Sequence, residues 1–149
     1  MSPRRLRPRP RTLRSPKLGP VTFRPDDVIH FPEGLPGFES LTRFLLVTRP
    51  QCQPFVFLTA LERPEVALPL LPPALVQPGW TPPLEPNGGA GPQDLAWYVV
   101  VIIAPEGRAV VANFGAPILV NLRARLGRQV VVDEEWATLG ALRLAPAFR

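Results

Sequence analysis

The sequence predicts an all-β fold, an antiparallel barrel or sandwich with minor helical turns, on three observations. Proline supplies 22 of the 149 residues, about three times its average share of roughly 5%, and proline disfavours long helices because it lacks the amide hydrogen. About nine short β-prone runs alternate with turn residues at a spacing of about 8–12 positions, which is typical of such folds. The apolar fraction of 46% indicates a globular core, and the length suits one domain.

The N-terminal residues differ from the rest of the chain in charge. Residues 1–17 contain seven basic side chains and no acidic one, whereas residues 18–149 contain 10 basic and 12 acidic side chains. Because the first segment is also rich in proline and poor in apolar residues, we predict a disordered Arg/Pro-rich arm over 1–17 and a single, mildly acidic domain over 18–149. The arm is interpreted either as a lineage-specific extension or misassigned start, or as a contact for RNA or for an acidic surface.

Apolar and β-branched runs between turn residues place the elements of the domain. We predict strands at 21–24, 28–31, 43–48, 54–60, 66–71, 97–104, 109–113, 117–122 and 127–132. The run 97–104 is expected to form an antiparallel hairpin with 109–113, and the last two strands are expected to pair across a basic turn. A single helical turn is expected at 39–42. The proline- and glycine-dense segment 72–94 is expected to be a long irregular loop.

The residue inventory argues against catalysis and metal binding. His30 is the only histidine and Cys52 the only cysteine, which disfavours a metal cluster, a Cys–His pair and an intramolecular disulfide. Adjacent carboxylates at 26–27 and 133–135 do not converge by themselves, because neighbouring side chains of an extended chain point apart. The glycines at 87–91 lack the Lys-Ser/Thr pair of a phosphate-binding loop. We therefore expect no enzyme activity, metal, cofactor or small-molecule substrate.

The sequence also predicts the compartment. The longest uncharged apolar run near the middle of the chain, 95–104, has ten residues, about half of the roughly 20 that a membrane helix needs. No apolar segment of a signal peptide follows the N-terminal charges, and the single cysteine fits a reducing environment. We expect a cytoplasmic protein with no membrane partner.

Two stretches that are dense in glycine, proline and apolar residues are the candidate binding elements. The first motif is residues 31–38 (FPEGLPGF), and the second motif is residues 112–121 (ANFGAPILVN). The first is predicted to be a rigid turn that either seals a barrel end with its aromatic rings or forms an exposed rim for an apolar helix of a partner. The asparagines of the second either tie down a bulge or loop or present amides to a peptide backbone. The candidate partner-binding residues are Phe31, Leu35, Pro36, Phe38, Asn113, Pro117 and Asn121.

Blocks of sequence that contain these motifs resemble the flagellar assembly factor FliW family. In order along the chain they are 28–38 (VIHFPEGLPGF), 55–71 (FVFLTALERPEVALPLL) and 110–132 (VVANFGAPILVNLRARLGRQVVV). The last is similar to the family pattern Ala-Asn-Leu-x-Ala-Pro-Ile-x-x-Asn, followed by a basic turn and a β-prone run. The similarity covers about residues 20–133. The chain departs from the family pattern at Pro72-Pro73, in the short segment after it, and at the C-terminus, where a His-Pro element is absent.

The resemblance implies a small antiparallel β-barrel-like domain without catalytic activity. FliW proteins bind flagellin in the cytoplasm, and they also bind CsrA, an RNA-binding regulator that represses flagellin translation. Partner switching is therefore implied: flagellin occupies the factor until it is secreted, and the released factor then antagonises CsrA. Two alternatives stay open. One is a nucleic-acid-associated β-domain that uses the Arg-rich arm, and the other is a diverged family member with another protein partner.

Overall fold

The computed structural model describes residues 9–83, 92–103, 110–132 and 136–138, and strands are the main secondary structure in them. The strands are β1 Arg11–Ser15, β2 Gly19–Phe23, β3 Ile29–His30, β4 Arg43–Thr48, β5 Val56–Ala60, β6 Ala67–Leu71, β7 Leu95–Ile103, β8 Val110–Asn113, β9 Ile118–Asn121, β10 Leu126–Gln129 and β11 Trp136–Thr138. The prediction of an all-β fold with minor helical turns is confirmed.

The helical segments in the described residues are short, and each begins at a proline. They are α1 Pro73–Val76 and the single 3₁₀ turns Pro25–Asp27, Pro50–Cys52 and Pro92–Asp94. The fixed φ of proline suits the first helical position, where no amide hydrogen is needed. None of these helices is long and apolar enough to cross a bilayer.

Seven strands close into a ring in the order β7-β6-β5-β4-β3-β10-β9, with β9 returning to β7. Neighbours in the ring are antiparallel except β3 and β10, which run parallel where His30 lies opposite Leu126. Strands β8 and β11 extend the sheet from β7 beyond the ring. Of the two predicted architectures the barrel is therefore correct. The predicted β7–β8 hairpin and β9–β10 pair are confirmed as well.

Alternating side chains of the ring strands pack on the two sides of the sheet. On β4, Phe44 and Leu46 point into the barrel, whereas Leu45 and Val47 point outward. The fully buried members of the inner cluster are Ile29, Phe31, Leu35, Leu41, Phe44, Leu58, Ala60, Leu70, Ile118 and Val120. Because the outward residues of β4 are also apolar, the outer face of this part of the sheet needs a cover.

A two-stranded sheet, the N-terminal hairpin formed by β1 and β2, covers that outer face. Its inward residues Leu13 and Val21 are 8% and 6% exposed and pack in a second apolar cluster with Leu45 and Val47. The Arg49 guanidinium also donates to the Pro20 carbonyl over 2.9 Å. The hairpin therefore belongs to the folded domain.

This arrangement corrects the prediction of a disordered arm over 1–17. Residues Arg11–Ser15 form β1, paired in register with Gly19–Phe23, and residues 1–8 lie outside the described part of the chain. The prediction was wrong because it rested on composition, and β1 has only one large apolar side chain, Leu13, among polar and charged residues. One such residue suffices where a partner strand and an apolar surface are already present.

Smaller differences concern the loops. Residues 39–42 form a turn but no helix, with the Leu41 amide donating to the Phe38 carbonyl over 3.0 Å. The predicted loop 72–94 contains α1 and the turn Pro92–Asp94, and the glycine-rich part at 84–91 lies outside the described residues. The predicted turn after β7 and the acidic run at 133–135 also lie outside them.

Candidate protein-binding groove

The first motif folds into a turn that is closed by its own backbone. The Gly34 amide donates to the Phe31 carbonyl over 2.8 Å, and the Phe38 amide donates to the Leu35 carbonyl over 2.7 Å. Gly34 has φ +65°, and a Cβ there would lie 2.7 Å from the Glu39 backbone. Only glycine fits this position. The rigid turn expected between two strands is therefore present.

The apolar side chains of this turn point mainly into the barrel. Phe31 is 0% exposed and Leu35 is 2% exposed, and the Phe31 ring packs edge-on against Phe44 with centroids 5.0 Å apart. Phe38 is half-buried against the same inner cluster, and Pro36 is exposed. The expectation of an exposed rim is wrong for Phe31 and Leu35. Their burial supports the other interpretation, that the aromatic residues seal the barrel, because apolar surface is more stable inside.

Gly127 on β10 joins the basic-turn region to the first motif. A Cβ on Gly127 would lie 2.6 Å from Cε1 of the Phe31 ring. The ring therefore lies directly on the β10 backbone, next to the parallel contact between β3 and β10 that completes the barrel. Gly127 was not among the residues predicted to matter for binding. Its only signal in the sequence is a glycine inside a β-prone run, which often marks a close approach.

The second motif is a strand with a bulge along one edge of β7. Val101 lies opposite Ala112, and Tyr98 lies opposite Ile118. The two β7 residues are three positions apart, whereas their partners in the motif are six positions apart. The motif therefore contains three extra residues between these pairs. The Asn113 Oδ1 accepts from the Gly115 amide over 3.0 Å and fastens the bulge, while Phe114 is buried beneath it.

The second asparagine fastens the basic turn that follows. The Asn121 Oδ1 accepts from the Arg123 amide over 3.1 Å and from the Ala124 amide over 2.9 Å. The geometry therefore supports the interpretation that both asparagines tie down a bulge or a loop. Pro117 is buried in the bulge. That these residues contact a partner stays a prediction.

A groove of about 650 Å³ lies where the two motifs meet on the outside of the barrel. One wall is the outer side of the first motif and the residues after it, and the other is formed by β9, β10 and the start of β7. The lining residues are Pro32, Glu33, Gly34, Pro36, Glu39, Leu95, Leu119, Asn121, Leu126, Gly127, Arg128, Gln129 and Val131. Of the predicted binding residues, Pro36 and Asn121 lie in this groove.

Apolar side chains on the groove wall are open to solvent. Leu126 is 47% exposed and Val131 is 74% exposed. Leu122, the residue after β9, is 37% exposed. None of these residues was a predicted contact. Around Val131 alternation does not separate the two faces of the strand, because residues 130–132 are all valine. This exposed apolar group makes the groove a candidate contact surface for another protein.

Charges of both signs frame the apolar floor. Glu33 and Glu39 stand on one wall and Arg128 on the other. The Gly37 amide donates to the Glu39 carboxylate over 3.0 Å, and this hydrogen bond, with one from the backbone of Glu39 itself, lowers the pKa of that carboxyl. Within the described residues, no three potential metal ligands come together. The arrangement is suited to binding an amphipathic segment.

Comparisons with known proteins agree with the fold and the motifs. The model of the family "FliW protein" matches residues 12–140, so the match begins inside β1. The flagellar assembly factor FliW of Thermoanaerobacter pseudethanolicus is 32% identical over 129 residues, covering 83% of this chain and 86% of the relative. That of Moorella thermoacetica is 36% identical over 124 residues, covering 78% of each. A crystal structure of the flagellar assembly factor FliW superposes with a TM-score of 0.74 at 26% identity, covering 91% of this chain and 98% of the other.

Proposed function

The chain belongs to the FliW family of flagellar assembly factors, and on this premise we propose that it binds flagellin in the cytoplasm and antagonises a CsrA-like translational regulator. Neither role needs catalysis. The observation that carries the proposal is the groove in which both family motifs meet.

The groove suits a segment with one apolar and one polar face. Its exposed leucine and valine side chains offer apolar area, and the carboxylates and the guanidinium on opposite walls offer partners for charges of either sign. An amphipathic helix laid into such a groove buries its apolar face and keeps its polar face wet. Unassembled flagellin supplies segments of this kind. We assign the groove to flagellin on this ground.

A regulator of the CsrA type is the second partner. Residues 18–149 contain more acidic than basic side chains, and this charge complements a basic RNA-binding protein. If flagellin and the regulator bind the same factor, the free concentration of that factor links the two equilibria. Accumulated flagellin then leaves the regulator free, and secreted flagellin releases the factor to bind it.

The direct test measures binding of cognate flagellin by calorimetry to the wild-type chain and to Leu126→Asp. A carboxylate on the groove wall would meet the apolar face of the segment, so we expect the affinity to fall about tenfold or more. Leu75→Asp is the matched control, because Leu75 is 51% exposed on α1 and lies away from the groove, while Leu126 is 47% exposed. Absence of a complex at micromolar concentrations would refute the proposal. An equal loss of affinity in both variants would refute the assignment of the groove as the flagellin site.

The switch is tested by adding flagellin to a preformed complex of this chain with the regulator. We expect flagellin to release the regulator in proportion to its occupancy. A ternary complex without loss of affinity would contradict the switch. Failure of the regulator to bind at all would remove that half of the proposal and leave flagellin binding unaffected.

A further inference from the structure

A second cleft lies between the N-terminal hairpin and the barrel, on surface that the proposed function does not use. Its volume is about 440 Å³. Arg11 from β1, Phe23 from β2, His30 from β3 and Arg43 from β4 line it, with Leu61 at the end of β5. The cleft thus combines cationic groups with an aromatic ring that is half-buried.

Positive charge continues from the cleft onto the hairpin. Arg9, Arg11, Arg14 and Lys17 are all exposed, and among the described residues none of them lies within ion-pair distance of a carboxylate. The ion pair found there is Arg43 with Glu62, at 3.1 Å. Residues 1–8 add three further arginines to the sequence. Such a surface attracts polyanions.

Two carboxylates near the cleft, those of Asp27 and Glu62, accept hydrogen bonds from backbone amides. The Arg24 amide donates to Asp27 over 2.7 Å, and the Thr42 and Arg43 amides donate to Glu62 over 2.9 Å each. The carboxylates stay charged, but these hydrogen bonds hold them at the backbone, and neither pairs with a hairpin arginine among the described residues. The hairpin arginines stay available to a ligand.

We propose that the N-terminal hairpin and its cleft bind a single-stranded nucleic acid. Arg11 lies directly opposite Phe23 in the β1–β2 register, so their side chains are close enough for one nucleotide to place its phosphate on the guanidinium and its base on the ring. Stacking on an aromatic ring needs an unpaired base, which favours a single strand over a duplex. An acidic peptide would use the charges but not the ring.

Deleting residues 1–17 is an unsuitable test, because it removes β1 and uncovers the outer apolar cluster. Substitutions in the full chain separate binding from folding. The probe is a labelled uridine oligonucleotide of about 16 nucleotides, at the upper end of usual site sizes, and fluorescence anisotropy reports its binding at about 50 to 200 mM salt.

We expect Arg11→Gln to weaken binding about threefold or more at about 50 mM salt and to reduce the salt slope by about 0.7, since each phosphate contact to a single strand contributes roughly that much. Arg14→Gln is the matched control, because Arg14 is exposed on the opposite face of the same strand and does not line the cleft. Phe23→Leu should weaken binding about fivefold or more at every salt concentration with an unchanged slope. Circular dichroism melting confirms that each variant is folded.

Three results would overturn the proposal. They are no anisotropy change at low salt, equal binding by Arg11→Gln and Arg14→Gln, and equal competition by polyglutamate of the same charge. The deoxyribose form of the oligonucleotide is measured as a second probe. Equal affinity assigns recognition to phosphates and base faces, and tighter binding of RNA adds a contact to the 2′-hydroxyl. Because Arg11 and Leu126 lie in different pockets, this test and the flagellin test fail independently.

Discussion

The barrel seam and the N-terminal hairpin are both held by apolar contacts, but they tolerate change differently. We define the seam as the contact of Phe31 with Gly127 of β10, where β3 and β10 complete the ring. There the Phe31 ring is 0% exposed, with no space for even one added carbon on Gly127. The hairpin instead covers the outer cluster with Leu13 and Val21, which are 8% and 6% exposed to solvent.

The difference shows that closing the barrel depends on the volumes of the groups packed inside it, whereas covering it depends on the apolar area that is buried. A closed interior transmits any change of volume to its neighbours, whereas a cover loses about the apolar area that is removed. Function follows the same division, because the proposed flagellin groove lies on the outside of the seam and the proposed nucleic-acid cleft lies at the edge of the hairpin.

The largest effect is expected from a double-mutant cycle at the seam. Phe31→Ala should lower the free energy of unfolding by about 4 kcal/mol and Gly127→Ala by about 2 kcal/mol. Because alanine at position 31 removes the ring that a Cβ at 127 would meet, the second change should cost little in the first background. We expect a coupling energy of about 2 kcal/mol. Urea unfolding is followed by the fluorescence of Trp80 and Trp97, whose rings are 5.6 Å apart.

Additive losses in that cycle would contradict the packing of Phe31 on Gly127. Phe31→Leu replaces Phe31→Ala in the cycle if the alanine variant is unfolded, and it keeps the test because leucine also vacates the position of the ring edge.

An intermediate effect is expected at the hairpin. Leu13→Ala should lower the free energy of unfolding by about 2 kcal/mol, at the low end for a leucine in a core, because the site opens to solvent. Arg14→Ala, on the exposed face of the same strand, should stay within about 0.5 kcal/mol of the wild type. The same urea titration measures both. If the Leu13 variant and the wild type were equally stable, the result would support the original prediction of a disordered arm.

The smallest effect is a pH dependence at the groove wall beside the seam. Hydrogen bonds from the backbone hold the pKa of Glu39 below its usual value of 4.5. Since the folded-state pKa is the lower one, the charged carboxylate stabilises the fold above about pH 4.5, and this contribution is lost as the pH falls through the folded-state pKa. Carbon-detected NMR titration of the carboxyl group measures it.

Glu39→Gln provides the control, and it should show a slightly smaller loss of stability on acidification than the wild type. The difference is small because the carboxylate is exposed to water. A measured pKa at or above 4.5 would show that the Gly37 hydrogen bond does not form in solution.

Much of the fold could be predicted because the strands carry their own signals. β4 has the predicted bounds, and β5, β6 and β7 differ from their predicted ranges by one or two residues at either end. The exceptions are β1 and β11, neither of which was among the predicted strands. The position of β1 depends on an apolar surface supplied by other strands. Pattern within the segment could not reveal that surface.

The binding site was predictable only in part. Both motifs were identified, and they do meet at one groove, but the sequence does not distinguish the side chains that face the barrel from those that face the solvent. Phe31 and Leu35 were named as candidate contacts and lie inside the barrel, while Leu126 and Val131 were not named and are exposed. In a turn with positive-φ glycines the side-chain directions follow no simple period.

By itself the sequence determined the all-β class, the turns set by proline and glycine, and the family to which the chain is similar, since these depend on local conformational preference and on motif order. Only the tertiary structure decided that the ring closes through Phe31 on Gly127, that β1 is part of the fold, and which faces of the motifs form the groove. These features depend on contacts between residues far apart in the chain, such as positions 31 and 127, and on the volume left between them. No single segment of the sequence specifies these distant contacts or the volume between them.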